Sequence, residues 1–160
     1  MTKRQVFYSF HFGSDVMRVQ QVRNIGVIEG NEPVSPNEWE TVKRGGDSAI
    51  ETWIDNNMKN KSVVVVLIGE ETYKRPWVKY EIKKAWNDKK GLLGIHIHNL
   101  NCPNNGKCNK GTNPFDEFNL GDKKLSSIVK CYDPGSDAYN GIKENIETWI
   151  EEAITIRNKY

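Results

Sequence analysis

No stretch of this 160-residue chain is apolar for anything like the ~20 residues a membrane-spanning helix needs. Cysteine is scarce. Cys102, Cys108 and Cys131 are odd in number and without framework spacing, which argues against a disulfide scaffold and for reduced thiols. Net charge is nearly missing too: Lys and Arg exceed Asp and Glu by 23 to 21, giving a formal +2, and the basic residues are scattered rather than clustered. Nothing in that balance argues for a nucleic-acid or membrane partner. The opening residues MTKRQVF run into a strand pattern with no apolar leader, so a cytoplasmic protein is expected. There are no internal repeats. What is present, 37% hydrophobic and 28% charged residues, suits a single domain over 1–160 with a real core.

The strongest local signal is the stretch Ser62 to Trp86, SVVVVLIGEETYKRPWVKYEIKKAW. Its first seven residues are β-branched or apolar with almost no polar alternation, the pattern of a strand covered on both faces of a parallel sheet. Gly69 to Arg75 supplies loop residues, and Pro76 suits the first turn of a helix. Glu81 therefore falls about one turn into that helix, just beyond the carboxyl end of a central strand, where open α/β sheets bind ligands.

Further strands are predicted at Gln5–Phe10, Ile25–Ile28, Gly91–His98 and Leu125–Cys131, with helices at Val16–Asn24 (capped by Ser14 or Asp15), Asp47–Lys59 (capped by Asp47) and Asp137–Arg157. In the last of these, Ile142, Ile146, Trp149, Ile150 and Ile154 recur at helical spacing. Two long polar connections, Glu29–Gly46 and Asn99–Lys124, interrupt the pattern, and the first is expected to be mobile at rest and to order on assembly or substrate binding. Five alternations of strand and helix predict an α/β, flavodoxin-like three-layer sandwich on a five-stranded parallel sheet of order 2-1-3-4-5. Its switch point would bring the loops after Phe10 and Ile68 to one crevice, with Glu81 reaching into it.

Tyr8-Ser9-Phe10-His11 followed by Asp15, Arg18 and Gln21-Val22-Arg23-Asn24, then Trp77-Val-Lys-Tyr-Glu81, Gly94-Ile-His-Ile-His98 and Gly111-Thr-Asn-Pro-Phe115, resembles the bacterial TIR-like family. More narrowly it is similar to the TIR-like subunit of Thoeris antiphage systems, from about Val6 to the final helix. The resemblance implies an enzyme that cleaves the nicotinamide–ribose bond of NAD and makes a cyclic ADP-ribose isomer, a diffusible nucleotide signal that activates a separate effector protein. It makes Glu81 the catalytic glutamate. Val78 departs from the pattern, since many TIR domains carry cysteine after the tryptophan. Substrate contacts are expected from Ser9, Phe10, His11 and Trp77, and Arg18 or Arg23 is a candidate for the pyrophosphate. NAD is then a substrate and no cofactor is expected, because nicotinamide leaves as a neutral base and a carboxylate beside the ribose hydroxyls suffices to stabilise the cation. A homo-oligomer or a phage-derived activator would be in keeping with the family.

Plainer readings stand beside these. Glu81 can be a solvated helix residue pairing with Lys83 or Lys84, and Trp77 a core anchor. His96, His98, Cys102 and Cys108 have zinc-ligand chemistry, but Cys-x5-Cys is loose for a ligand pair, and no metal is expected. A non-catalytic TIR interaction module remains the alternative function. A receiver domain fits poorly, since Tyr8-Ser9-Phe10 and Ile68-Gly69-Glu70 stand where a receiver needs an acidic pocket and a phospho-acceptor aspartate, and HFGSD is no FMN phosphate loop.

Overall fold

The structure is a computed structural model that describes residues 5–25, 29–30, 42–101 and 106–160. The β-branched run forms strand β3 (Val63–Ile68), and all six of its residues are buried. A strand with apolar side chains on both faces must be covered on both, and β3 sits at the middle of a parallel sheet for that reason. On one side it pairs with β1 (Gln5–Ser9), in the register Val6 with Val63 through Ser9 with Val66. On the other it pairs with β4 (Gly91–His96), Val63 with Gly91 through Ile68 with His96. Two-residue strands flank these three, β2 (Glu29–Gly30) beside β1 and β7 (Cys131–Tyr132) beside β4, again parallel. A small antiparallel hairpin, β5 (Asn119–Leu120) and β6 (Lys123–Lys124), lies apart from the sheet.

Alternation along the strands divides the core in two. Val6, Tyr8, Val63, Val65, Leu67, Leu93 and Ile95 face helices α1 (Phe12–Asn24) and α4 (Ala138–Asn158). Phe7, Val64, Val66, Ile68 and Leu92 face α2 (Gly46–Met58) and α3 (Pro76–Asn87). Both layers are buried, so each strand residue contributes whichever way it points, about 1.5–3 kcal/mol for a Val, Leu or Ile side chain. Among the described residues no helix is long and apolar enough to cross a membrane.

Several boundaries differ from the sequence expectation. Helix α1 begins at Phe12 rather than Val16, and the N-cap position belongs to neither Ser14 nor Asp15: His11 holds it in extended backbone, and its side chain makes no capping bond. Asp15 has other business, described below. Helix α2 likewise starts from Gly45 and not from an Asp47 cap. Leu125–Cys131 is not one strand, because Leu125–Ser127 turns as a 3-10 helix that buries Leu125, leaving Cys131–Tyr132 to pair with β4. Of the predicted second strand, Ile25 closes helix α1, residues 26–28 lie outside the described residues, and pairing occurs at Glu29–Gly30. Most of the connection expected to be mobile, residues 31–41, also lies outside them.

Candidate active site

Strand β1 ends at Ser9, whose parity puts it on the same face as Phe7, toward α3. Helix α3 starts with Pro76 at its first turn and presents Val78, Glu81, Ile82 and Ala85 to the sheet, an i, i+3, i+4, i+7 stripe in which one of four members is a carboxylic acid. The two elements are joined by a hydrogen bond: the Ser9 hydroxyl donates to Glu81 Oε1 at 2.7 Å, with Ser9 fully buried and Glu81 only 7% exposed. Burial with no cation beside it raises the Glu81 pKa from its ordinary value to about 8, and the Ser9 hydrogen bond offsets part of that rise. Glu81 is therefore neither solvated nor paired with Lys83 or Lys84. Lys84 turns to Asp88 and Asp55. An uncharged acid at pH 7 held by one hydroxyl is a group poised to ionise when a positive charge arrives.

The loops beyond the carboxyl ends of β1, β3 and β4 converge on Gly69. A Cβ there would lie 2.2 Å from Asp15 Oδ2, so only glycine lets the start of α1 pack on the β3 loop. Gly111 presses from the third side, where a Cβ would stand 2.0 Å from the Gly69 carbonyl oxygen. The Gly69 amide donates to the buried Thr72 hydroxyl at 2.8 Å, which fixes the turn into α3.

Arg18, a sequence candidate for pyrophosphate binding, is a strut in this junction. Its guanidinium donates to Asp15 Oδ1 at 3.0 Å, to the Leu100 carbonyl at 3.0 Å and to the Gly106 carbonyl at 2.8 Å, and both members of the ion pair are buried. Burial raises the Asp15 pKa while Arg18 pulls it down. Arg23 is not brought to the site at all. It lies in the last turn of α1, eleven residues beyond the helix start at Phe12, and at 1.5 Å per residue that places it ~16 Å down the helix.

The remaining candidates divide. His11 is half-buried at the N-cap of α1, and its pKa is lowered by burial and by Arg75, with Glu71 opposing. The loops after β1 and β3 therefore meet where the sequence placed them. Phe10 packs against the α1/α4 layer, on the opposite face from Ser9, and Trp77 packs into the α2/α3 layer with an edge-on contact to Tyr80 at 5.5 Å. Arg75 was missed. It occupies the N-cap of α3, pairs with Glu71 at 2.9 Å and lies near enough to His11 and Asp15 to bias both. Its position directly before Pro76 was the signal available.

His96 ends β4 and His98 follows it two residues on, with the two rings edge-on at 5.9 Å. Burial depresses both, His96 to about 4, and the Nδ1 atoms of both lack a hydrogen-bond partner. The Lys110–Asp133 pair acts on both, the lysine lowering and the aspartate raising them. Among the described residues no three His, Cys, Asp or Glu side chains gather as metal ligands, and Cys102 lies outside those residues. Cys131 is a poor nucleophile here, since burial pushes its thiol up to about 12.

The geometry can be set beside known proteins. A protein of Bacillus cereus (strain MSX-D12), named as a cyclic ADP-D-ribose synthase, ThsB1, is 39% identical over an alignment of 122 residues that covers 72% of this chain. The chain spans 62% of that relative's length. Residues 7–102, which hold the end of β1, Arg18, β3, α3 and β4, match the family described as Thoeris protein ThsB, TIR-like domain. With more than half of its length matched, the chain belongs to that TIR-like family of Thoeris proteins.

Proposed function

We propose that this protein cleaves the nicotinamide–ribose bond of NAD with Glu81 as the catalytic group, and that it makes a cyclic ADP-ribose isomer which activates a separate effector in antiphage defence. The observation that carries the reading is the buried Glu81 carboxyl, hydrogen-bonded by Ser9 at the carboxyl end of a parallel sheet. The name of the Bacillus cereus relative points the same way. In this reading the frame is the flavodoxin-like order 2-1-3-4-5, with the short Glu29–Gly30 pairing as its second strand. The protein works in the cytoplasm, where NAD is its partner.

The chemistry follows from the environment of Glu81. The nicotinamide ring of NAD is a cation, and a cation entering a low-dielectric site favours the ionised carboxylate, so substrate binding releases a proton to solvent. As the C1′–N bond breaks, positive charge moves onto the ribose, and the carboxylate beside its hydroxyls stabilises that charge without reorganising. Nicotinamide leaves neutral, and the cation is captured either by water, which gives ADP-ribose and a proton, or by a nucleophile of the same molecule, which gives a ring. Arg75, at the mouth of α3, replaces Arg18 and Arg23 as the guanidinium placed for the pyrophosphate. At 7% exposure Glu81 has no room beside it for a ribose, so the loops around Gly69 must part before substrate enters. That need gives a resting form that assembly or a phage-derived activator can open.

The test is incubation with NAD and chromatography for nicotinamide and the cyclic product, in the presence of extract from infected cells. The parent protein should turn over, and Glu81→Gln, which keeps shape but not charge, should lose roughly 10²–10³ in rate with little change in NAD affinity. A folded Glu81→Gln protein working at the parent rate removes the basis for the proposal.

A further inference from the structure

At the pole of the sheet opposite Glu81, a cleft of about 300 Å³ opens between the starts of β3 and β4 and the ends of α3 and α4. Its lining includes Lys61, Lys89, Lys90 and Arg157, with Asp88 the one acid. Asp88 is already spent on Lys84, at 3.1 Å. The four cations have no carboxylate partner among the described residues. Lys61 donates to the Gln5 side-chain oxygen at 3.3 Å and Lys90 to the Lys61 carbonyl at 2.7 Å. Each ammonium carries three donors, so both keep donors for a ligand. Arg157 is held firmly: one Nη donates to the Trp86 carbonyl at 2.8 Å, the guanidinium lies 4.1 Å from the Trp86 ring centroid, and the buried Nε has no partner.

The bland account is that basic residues complement helix ends. Helices α3 and α4 both finish here, and each C-terminus is worth about half a negative charge, which leaves about three of the four positive charges uncompensated. Like charges gathered around one concavity repel unless an anion joins them. The floor of the cleft is closely packed. Gly91 lies at the cleft, and a Cβ there would come within 3.1 Å of Val63 and 3.2 Å of Ile154. We propose that this cleft, with Lys61, Lys89, Lys90 and Arg157 as donors, is a binding site for the pyrophosphate group of a small anion. It is separate from the Glu81 site by the length of β3, six residues or ~20 Å.

Calorimetric titration of the full chain at low salt, with inorganic pyrophosphate and with adenosine diphosphate as probes, tests this. Saturable one-to-one binding of pyrophosphate is expected. Lys61→Gln combined with Lys89→Gln, two side chains outside the core, should weaken it at least tenfold, whereas Glu81→Gln should leave it unchanged. Arg157→Gln should weaken it as well, and the lysine pair keeps the test decisive should that variant fail to fold. Tighter binding of adenosine diphosphate than of pyrophosphate makes the ligand a nucleotide, and equal binding makes the pyrophosphate group sufficient. Absence of saturable binding, indifference to the lysine pair, loss of binding in Glu81→Gln, or binding of a single-stranded oligonucleotide alone would each overturn the proposal. Because Glu81→Gln is one arm, failure of the NAD reading and failure of this one are distinguishable.

Discussion

Replacing Glu81 by Gln should change how stability depends on pH, and the size of the effect can be worked from the structure. The carboxyl has a pKa of 4.5 in its ordinary environment and about 8 in the fold. Between those values the unfolded chain has released a proton that the folded chain still holds, so the stability of the parent protein falls as pH rises through that window and is level on either side. Three and a half pH units at about 1.4 kcal/mol each amount to on the order of 4–5 kcal/mol. Gln has no such proton, though its buried amide adds two donors that can cost about 1–3 kcal/mol if unmet. That cost does not vary with pH. It displaces the difference curve without tilting it. Urea unfolding of both proteins from pH 5 to pH 9 should therefore show the variant gaining on the parent steadily up to about pH 8. At an m-value near 2 kcal/mol per molar, the midpoint difference should shift by about 2 M urea over that range. A difference curve that is level within about 0.5 kcal/mol from pH 5 to 9 would show that Glu81 is not desolvated, and would refute the argument that an arriving cation ionises it.

Ser9→Ala removes the hydrogen bond that favours the charged form, so the rising limb of the pH–rate profile for NAD cleavage should move to higher pH and turnover at pH 7 should fall several-fold. An unchanged limb would mean Ser9 does not act on Glu81. Arg18→Gln leaves Asp15 buried and unpaired, a loss of about 3–5 kcal/mol that should appear as a lower melting temperature and as faster amide exchange at residues 97–101 and 106–111. Gly111→Ala places a methyl on the Gly69 carbonyl and should cost at least about 1–3 kcal/mol, read by thermal unfolding. Elemental analysis of the purified protein should find no stoichiometric zinc. One zinc per chain that disappears in a Cys102→Ser, Cys108→Ser protein would reverse that expectation.

Much of this was legible beforehand, and for identifiable reasons. Val63–Ile68 could only be a doubly covered strand, Pro76 could only begin a helix, and the isoleucines of α4 repeat at the spacing of its buried face. The depth of Glu81 was also written there, in the stripe Val78, Glu81, Ile82 and Ala85, but the lysines around it drew attention to the solvent side. Leu125–Cys131 misled because a short stretch with a few apolar residues fits a strand and a buried turn equally well. The task of Arg18 was illegible in principle. Two of its acceptors are main-chain carbonyls 82 and 88 residues away, and every residue carries one.

That last point bears on how the protein can be altered. Helix α1 grips the segment after β4 by its main chain: Arg18 takes the carbonyls of Leu100 and Gly106, and Gln21 takes that of Asn101. Such anchors specify where the chain passes and are indifferent to which side chains it carries. The exposed side chain of Asn101 can accordingly be exchanged, to carry a dye, as long as the three carbonyls still reach their donors.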